Sequence, residues 1–341
     1  MNPKWSHLYE MSRKIHSVQA MPKVWNYLKY RCAKRGSKIS IKHFTPQIAA
    51  LWVTQRCNLN CWFCGASDFV NKKDAGKPGT EATLAKVERI FESPLFSSCL
   101  LVDLEGGEPL LVDELGRIVA YLAHKGHLVN TSTNGLLLAD RVVELKKAGI
   151  SRINLSYYDE NHAVVERNLE KINRIFPVHM SMLLLRSKVE NHQDEILRAA
   201  KFFREAGCRS LRFWIYRPMG TDPKPDEIVY DTSQAYMEFQ QRIEKELPGF
   251  CYWPVAKQGV KIQKRCPRLW QWIGCDMLGN MAICCGTNML LQGPQSNLFQ
   301  SDPEALLNHP MFVMMRSQLM DPQSAPPEIC KNCNLLGDPG W

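Results

Sequence analysis

The chain has 341 residues, is 45% hydrophobic and 23% charged, and carries a net charge of +9. Those values belong to a globular protein and exclude a fibrous or intrinsically disordered one. No apolar run reaches the roughly 18 residues of a membrane span, and residues 1–7 lack the apolar core of a secretory signal. A cytoplasmic protein is therefore expected, and its 13 cysteines read as metal ligands or redox groups rather than a disulfide framework.

Residues 1–45 hold ten Lys/Arg and one acid, which is the whole net charge of the chain. Trp5, Leu8, Met11, Ile15, Val18, Trp25, Leu28 and Tyr30 interleave with those charges at near-helical spacing. This basic amphipathic arm has two readings. It either packs its apolar face on the body, or meets an anionic partner such as a membrane surface or a phosphorylated molecule. From residue 46 the pattern alternates. Strands are expected at 48–54, 100–104, 127–132, 153–156, 178–185 and 210–216. Helices are expected at 81–91 (N-cap Thr80), 115–124, 140–148 (closed by Gly149), 162–175 and 194–206 (closed by Gly207). Six such alternations predict a parallel sheet with right-handed crossovers, whose functional groups gather at the C-terminal strand ends. Residues 218–254 read as a linker with one further helix at 232–246. From 255 to 341 the chain is rich in cysteine and irregular.

The first strand runs into Cys57-Asn58-Leu59-Asn60-Cys61-Trp62-Phe63-Cys64. Three thiolates can hold three irons of a 4Fe–4S cube and leave the fourth iron open. A zinc knuckle is the competing reading, but zinc prefers four ligands in paired units. The C-x3-C-x2-C spacing, with Phe63 before the last cysteine, resembles that of the radical S-adenosylmethionine (radical SAM) superfamily. The resemblance continues at Gly106-Gly107-Glu108-Pro109, similar to the GGEP motif that lines the methionine moiety. There glycine suits a close backbone approach to the ligand and a carboxylate suits an ammonium. It continues also at Asn134 in Thr133-Asn134-Gly135, at Ser156 near the ribose, and at Arg167, a helix residue that pairs with a carboxylate. For Ser156 and Arg167 the competing readings are an ordinary strand end and an exposed helix charge. The adenine-binding pattern is weak, with Val189-Glu190-Asn191 as its stand-in. The resemblance implies an α/β fold, a (β/α)6 partial TIM barrel over 46–217. It also implies an open iron that chelates S-adenosylmethionine and reduces it to a 5′-deoxyadenosyl radical, which abstracts hydrogen from a substrate carbon.

A second set follows: Cys266, Cys284, Cys330 and Cys333, with Gly279 suited to a hairpin that returns the second thiolate toward the first. This resembles the SPASM/twitch extension, and implies a second, auxiliary 4Fe–4S cluster with complete protein ligation in residues 255–341. A structural zinc site has the same ligand count, and Cys285 could replace Cys284. Cys251, Cys275 or Cys285 could instead give a hydrogen atom to a substrate radical. Buried structural cysteine is the default for these and for Cys32, Cys99 and Cys208. The resulting expectation is an enzyme that oxidises or epimerises a sugar, aminocyclitol or other small polar metabolite, with flavodoxin or ferredoxin as electron donor. Peptide maturation, and modification of a lipid-linked or phosphorylated substrate at a membrane, are the alternatives. No nucleic-acid partner is expected.

Overall fold

The structure is a computed structural model that describes residues 18–32, 39–66, 70, 79–218, 222–253, 266–287, 289–331, 333 and 336. Its centre is one parallel sheet of eight strands in the order β7-β6-β5-β4-β3-β2-β1-β8. β1 (Ile48–Thr54), β2 (Leu101–Gly106), β3 (Leu128–Thr133), β4 (Arg152–Tyr157), β5 (His179–Leu184) and β6 (Ser210–Ile215) alternate with helices as expected and form the six-stranded partial barrel. Two strands from beyond residue 217 extend it. β7 (Cys251–Tyr252) pairs with β6, and β8 (Trp272–Asp276) pairs with β1, setting Cys275 opposite Leu51. Two residues, and five with Gly274 in the middle, give too little periodicity to read as strands from sequence.

The strands sort their side chains by the period of two that a pleated backbone imposes. Ala49, Leu51 and Val53 join the main core, while Ile48, Ala50 and Trp52 form a second cluster with Trp272 and Ala282. β2 and β4 bury Val102, Leu104, Ile153 and Leu155 at alternate positions and leave the residues between them half-buried. The helix His162–Ile175 answers from outside with Val165, Leu169 and Ile172.

Helix ends follow local chemistry. The expected helix at 81–91 begins later, at Leu84, because Thr83 rather than Thr80 caps it by accepting from Lys86 N. Gly149 closes its helix in the left-handed region at φ 91°.

Residues 1–17 and 33–38 of the expected arm, with Trp5, Leu8, Met11 and Ile15, lie outside the described residues. The helix Met21–Cys32 meets the packing expectation only in part. Tyr30 packs edge-on against Phe44, ring centres 5.3 Å apart, but Lys23 and Asn26 are buried, whereas Met21, Trp25 and Leu28 are exposed. Polar contacts drive this. Lys23 Nζ donates to Lys125 O at 3.0 Å, and Asn26 trades two bonds with the Thr45 backbone at 2.9 and 3.1 Å. Among the described residues no helix is long and apolar enough to cross a membrane.

Candidate functional site

A cavity of about 530 Å³ opens at the C-terminal ends of the strands, and Cys57, Cys61, Phe63 and Cys64 line it. Their loop leaves β1 and folds onto the end of β2. Gly107 N donates to Thr54 O and Glu108 N to Arg56 O, both at 2.8 Å. Packing against this loop adds a second reason for the two glycines, beside the expected approach to a ligand in the cavity that Gly107 lines. A β-carbon on Gly106 would meet Thr54 O at 2.4 Å, and one on Gly107 would meet Arg56 O at 2.0 Å. The close approach they permit is to the root of the cysteine loop. Arg56 fastens that root further, with Nη2 on Glu81 Oε2 at 3.0 Å and on Leu111 O at 3.1 Å.

Glu108 is almost fully buried. Its Oε1 accepts from Leu110 N (3.0 Å) and Thr133 Oγ1 (2.7 Å), and its Oε2 from Asn134 N (2.7 Å). Three of about four lone-pair positions are thereby filled from within. The side chain mainly ties the end of β2 to the end of β3, and at most one acceptor position faces a ligand. Asn134 lines the cavity, and its Nδ2 donates to Asn58 Oδ1 at 2.7 Å inside the cysteine loop. Ser156 lines the cavity at the end of β4, while Gly106 and Pro109 stand behind its wall. Arg167 is corrected. It is exposed and outside the cavity lining, because the inward stripe of its helix passes through Val165 and Leu169. The stand-in segment also falls away: Val189 is buried in a short helix, and Glu190 pairs with Arg186 on the surface.

Sequence reading missed several residues. Asn161, buried in the loop after β4, donates through Nδ2 to Asn134 O (2.6 Å) and Ser156 O (2.8 Å), joining two cavity-lining strand ends. Tyr158 stacks edge-on with Phe63, ring centres 4.9 Å apart, and burial pushes its hydroxyl up to about 12. Deeper in the barrel the wall is charged. Asp103 and Glu105 of β2, Arg152 of β4, Arg212 of β6 and Arg268 before β8 all line it. Burial raises both carboxyls, and the charge of Asp103 raises Glu105 further. A hydrogen bond from Asn130 and then the arginines pull Asp103 the other way. The missed signal is the strand pattern itself. Strands covered on both faces read as near-continuous apolar runs, so a polar residue at every second position marks a lined cavity.

The second cysteine set is also brought together. Gly279 turns at φ 82°, Met281 bridges back antiparallel to Cys275, and Cys284 follows. Cys284 Sγ and Cys333 Sγ lie 3.6 and 3.3 Å from the place a β-carbon on Gly286 would take. Burial raises Cys266, Cys284 and Cys330, with added repulsion among these three and Cys333. Arg217 Nη1 donates to Gly286 O at 2.9 Å beside them.

Of the three thiols considered as hydrogen donors, only Cys285 lines the cavity. Cys251 is buried in β7, and Cys275 is fully buried in β8. Cys99 and Cys208 are buried as expected, but Cys32 is exposed.

Both sets suit iron–sulfur chemistry in their donors. Each is all sulfur, the soft ligand class such clusters take. Burial holds the first three thiols above the usual range, Cys61 to about 12, which keeps them protonated until binding of metal would drive their protons off. Among the described residues no three His, Cys, Asp or Glu converge on one ion position. A cube asks instead for one thiolate per iron corner.

Comparison with known proteins agrees. Residues 53–231, just over half of the chain, match the Radical SAM superfamily. A probable GTP 3',8-cyclase of Aeropyrum pernix is 36% identical over 133 residues, 38% of this chain and 36% of that one. The GTP 3',8-cyclase of Aquifex aeolicus is 30% identical over 193 residues, 51% of this chain and 58% of that one. The chain thus spans about a third to somewhat over half of these relatives' length. Streptococcus suis SuiB bound to S-adenosylmethionine superposes with a TM-score of 0.65 at 15% identity, covering 88% of this chain and 73% of that one, a likeness of fold. With the motif, the barrel and the family match in agreement, this chain belongs to the radical SAM superfamily, which implies a 4Fe–4S cluster and S-adenosylmethionine.

Proposed function

We propose that this enzyme abstracts hydrogen from a carbon of a small polar molecule and so oxidises or epimerises it. In this reading Cys57, Cys61 and Cys64 hold the S-adenosylmethionine-binding 4Fe–4S cluster, and Cys266, Cys284, Cys330 and Cys333 hold an auxiliary one. The observation that carries it is the single cavity walled by the first cysteine set at one place and by Cys285, next to Cys284, at another. When bound, the first cluster supplies the single electron, received from a flavodoxin- or ferredoxin-like donor, that cleaves S-adenosylmethionine reductively.

The chain's own residues then have distinct tasks. The Gly107 and Glu108 backbone positions the cysteine loop. Asn134 and Ser156, joined by Asn161, present polar groups to the cofactor. Phe63, Tyr158 and Trp62 pack the mouth, with Trp62 also against Tyr216 at 5.4 Å between ring centres, and exclude water.

The cavity volume lies within the roughly 300–1,000 Å³ usual for small-ligand sites, and it must hold S-adenosylmethionine and substrate together. That favours a small substrate over a peptide. The relatives named GTP 3',8-cyclase act, by that name, on a nucleotide, and the partial match lends their chemistry to this chain only as one option among polar small molecules. The test replaces Cys57, Cys61 and Cys64 together with Ala. Formation of 5′-deoxyadenosine should cease while iron remains at the second site. Undiminished cleavage by that variant would refute the assignment.

A further inference from the structure

We infer that the helix Met21–Cys32 docks on an anionic lipid bilayer, its apolar stripe seated among the headgroups and its basic neighbours on the lipid phosphates. The helix turns its apolar side outward. Met21, Trp25 and Leu28 are 64, 60 and 45% exposed, Val18 in the turn before them is 80% exposed, and Cys32 continues the line. With 3.6 residues per turn, Met21, Trp25, Leu28 and Cys32 fall within about 60° of one another, in a stripe about 16 Å long.

The body of the protein holds the stripe in that direction. On the opposite side of the helix Lys23 Nζ donates to Lys125 O at 3.0 Å, and Asn26 Nδ2 to Thr45 O at 3.1 Å, while Asn26 Oδ1 accepts from Thr45 N at 2.9 Å. Tyr30 adds its edge-on contact with Phe44. Rolling the helix to bury the stripe would break these bonds and leave buried polar groups unsatisfied. Single exposed apolar side chains are ordinary on a protein surface. Four in one line, fixed outward, mark a surface meant for contact.

Charge decides what the stripe meets. Lys29 and Arg31 are exposed, and helical spacing puts one on each side of it. No Asp or Glu occurs between residues 11 and 67, whereas residues 11–45 carry nine Lys/Arg. A convex apolar stripe with a tryptophan at its centre and cations at its flanks is the form that lies in a bilayer interface, where burial and attraction to anionic headgroups act together. The position of the helix fits this role. Thr45, Ser98 and Lys125, whose carbonyls it binds, precede β1, β2 and β3. The helix thus crosses the floor of the barrel, at the N-terminal strand ends, and the cysteine loop lies at the other end. Docking there leaves the mouth of the cavity open.

The test sediments anaerobically reconstituted protein with vesicles of phosphatidylcholine containing phosphatidylglycerol, and with vesicles of phosphatidylcholine alone. Binding to the anionic vesicles should exceed binding to the neutral ones by about tenfold or more and fall steeply with added salt. Trp25→Ser should weaken it by about tenfold or more, through the apolar area it withdraws. The double variant Lys29→Glu, Arg31→Glu should narrow the difference between the two vesicle types by about tenfold or more. Val143→Ser, at an exposed apolar position of the helix Leu138–Ala148, should leave binding unchanged. Thermal melting should be the same for all of these proteins, which separates lost docking from lost folding. Equal binding to both vesicle types, no binding to either, or wild-type binding by Trp25→Ser would overturn the inference. A dimer in solution that Trp25→Ser dissociates, in a protein that does not bind vesicles, would overturn it too and assign the stripe to a second copy of the chain.

Discussion

Asn161 shows how much of the site depends on a side chain that need not touch a ligand. Its amide donates to two strand-end carbonyls, and its Oδ1 accepts from Tyr158 N at 2.7 Å. Replacing it with Ala strands three buried backbone groups, so unfolding free energy in urea should fall by about 2–4 kcal/mol. Affinity for S-adenosylmethionine should fall with it, because Asn134 and Ser156 lose their common tie. Stability unchanged within about 0.5 kcal/mol, the range of neutral surface substitutions, would refute this role. The motif cysteines and glycines were legible in the sequence by their spacing. Asn161 was not, because a lone Asn before a helix reads as a cap, and its partners come from two different strands. The glycines themselves were legible as a close approach, but what they approach, Thr54 O and Arg56 O, is a long-range fact that no local spacing encodes.

At the level of elements, the turn after β8 separates two adjacent thiols. Cys284 faces the second cysteine set, while Cys285, still within electrostatic reach of Cys266 and Cys333, packs with Ile48, Ala50, Trp52 and Trp272 and lines the cavity. Sequence left the two interchangeable, since a turn's direction is set by its pairing, here the Met281 and Ala282 bridges. Cys284→Ala should therefore cost about four irons of a reconstituted total near eight, whereas Cys285→Ala should keep its iron. Iron and sulfide analysis with Mössbauer spectroscopy checks this, and equal loss in both variants would count against the assignment. The same logic explains why the charged wall went unread. Each of Asp103, Arg152 and Arg212 looks like an ordinary strand polar residue until β2, β4 and β6 are closed around one space.

For the molecule as a whole, the six-fold alternation was readable because apolar runs, caps and left-handed glycines agree. The outer two strands were not, because both are short and β8 takes its partner from the far end of the chain. Stability across the sheet also carries a pH dependence. His127 enters β3 with its ring edge-on to Phe91, centres 4.9 Å apart, and Nδ1 donating to Cys99 O at 2.8 Å. Burial first, then the charge of Lys23, push it down to about 3. The folded ring is thus neutral where an unfolded one, with an ordinary value near 6.5, takes a proton. Its contribution is complete above about pH 6.5 and is lost as pH falls toward 3, at up to about 1.4 kcal/mol per pH unit. His127→Asn can still donate to Cys99 O but has no proton to gain. Denaturation at pH 7 and pH 5 should show a shallower acid loss for the variant, and identical slopes would refute the attribution.

The pairing of β8 with β1 sets an order of events during synthesis. The strand that launches the cysteine loop emerges early, yet Leu51 must wait for Cys275 before that edge of it is covered. Closing so long a loop costs entropy before it returns any contact, and non-local parallel pairing is slow. Until then β1 presents a bare apolar edge of the kind that recruits other chains. The nascent protein therefore passes through an interval in which its first cysteines are already made and their barrel is still open.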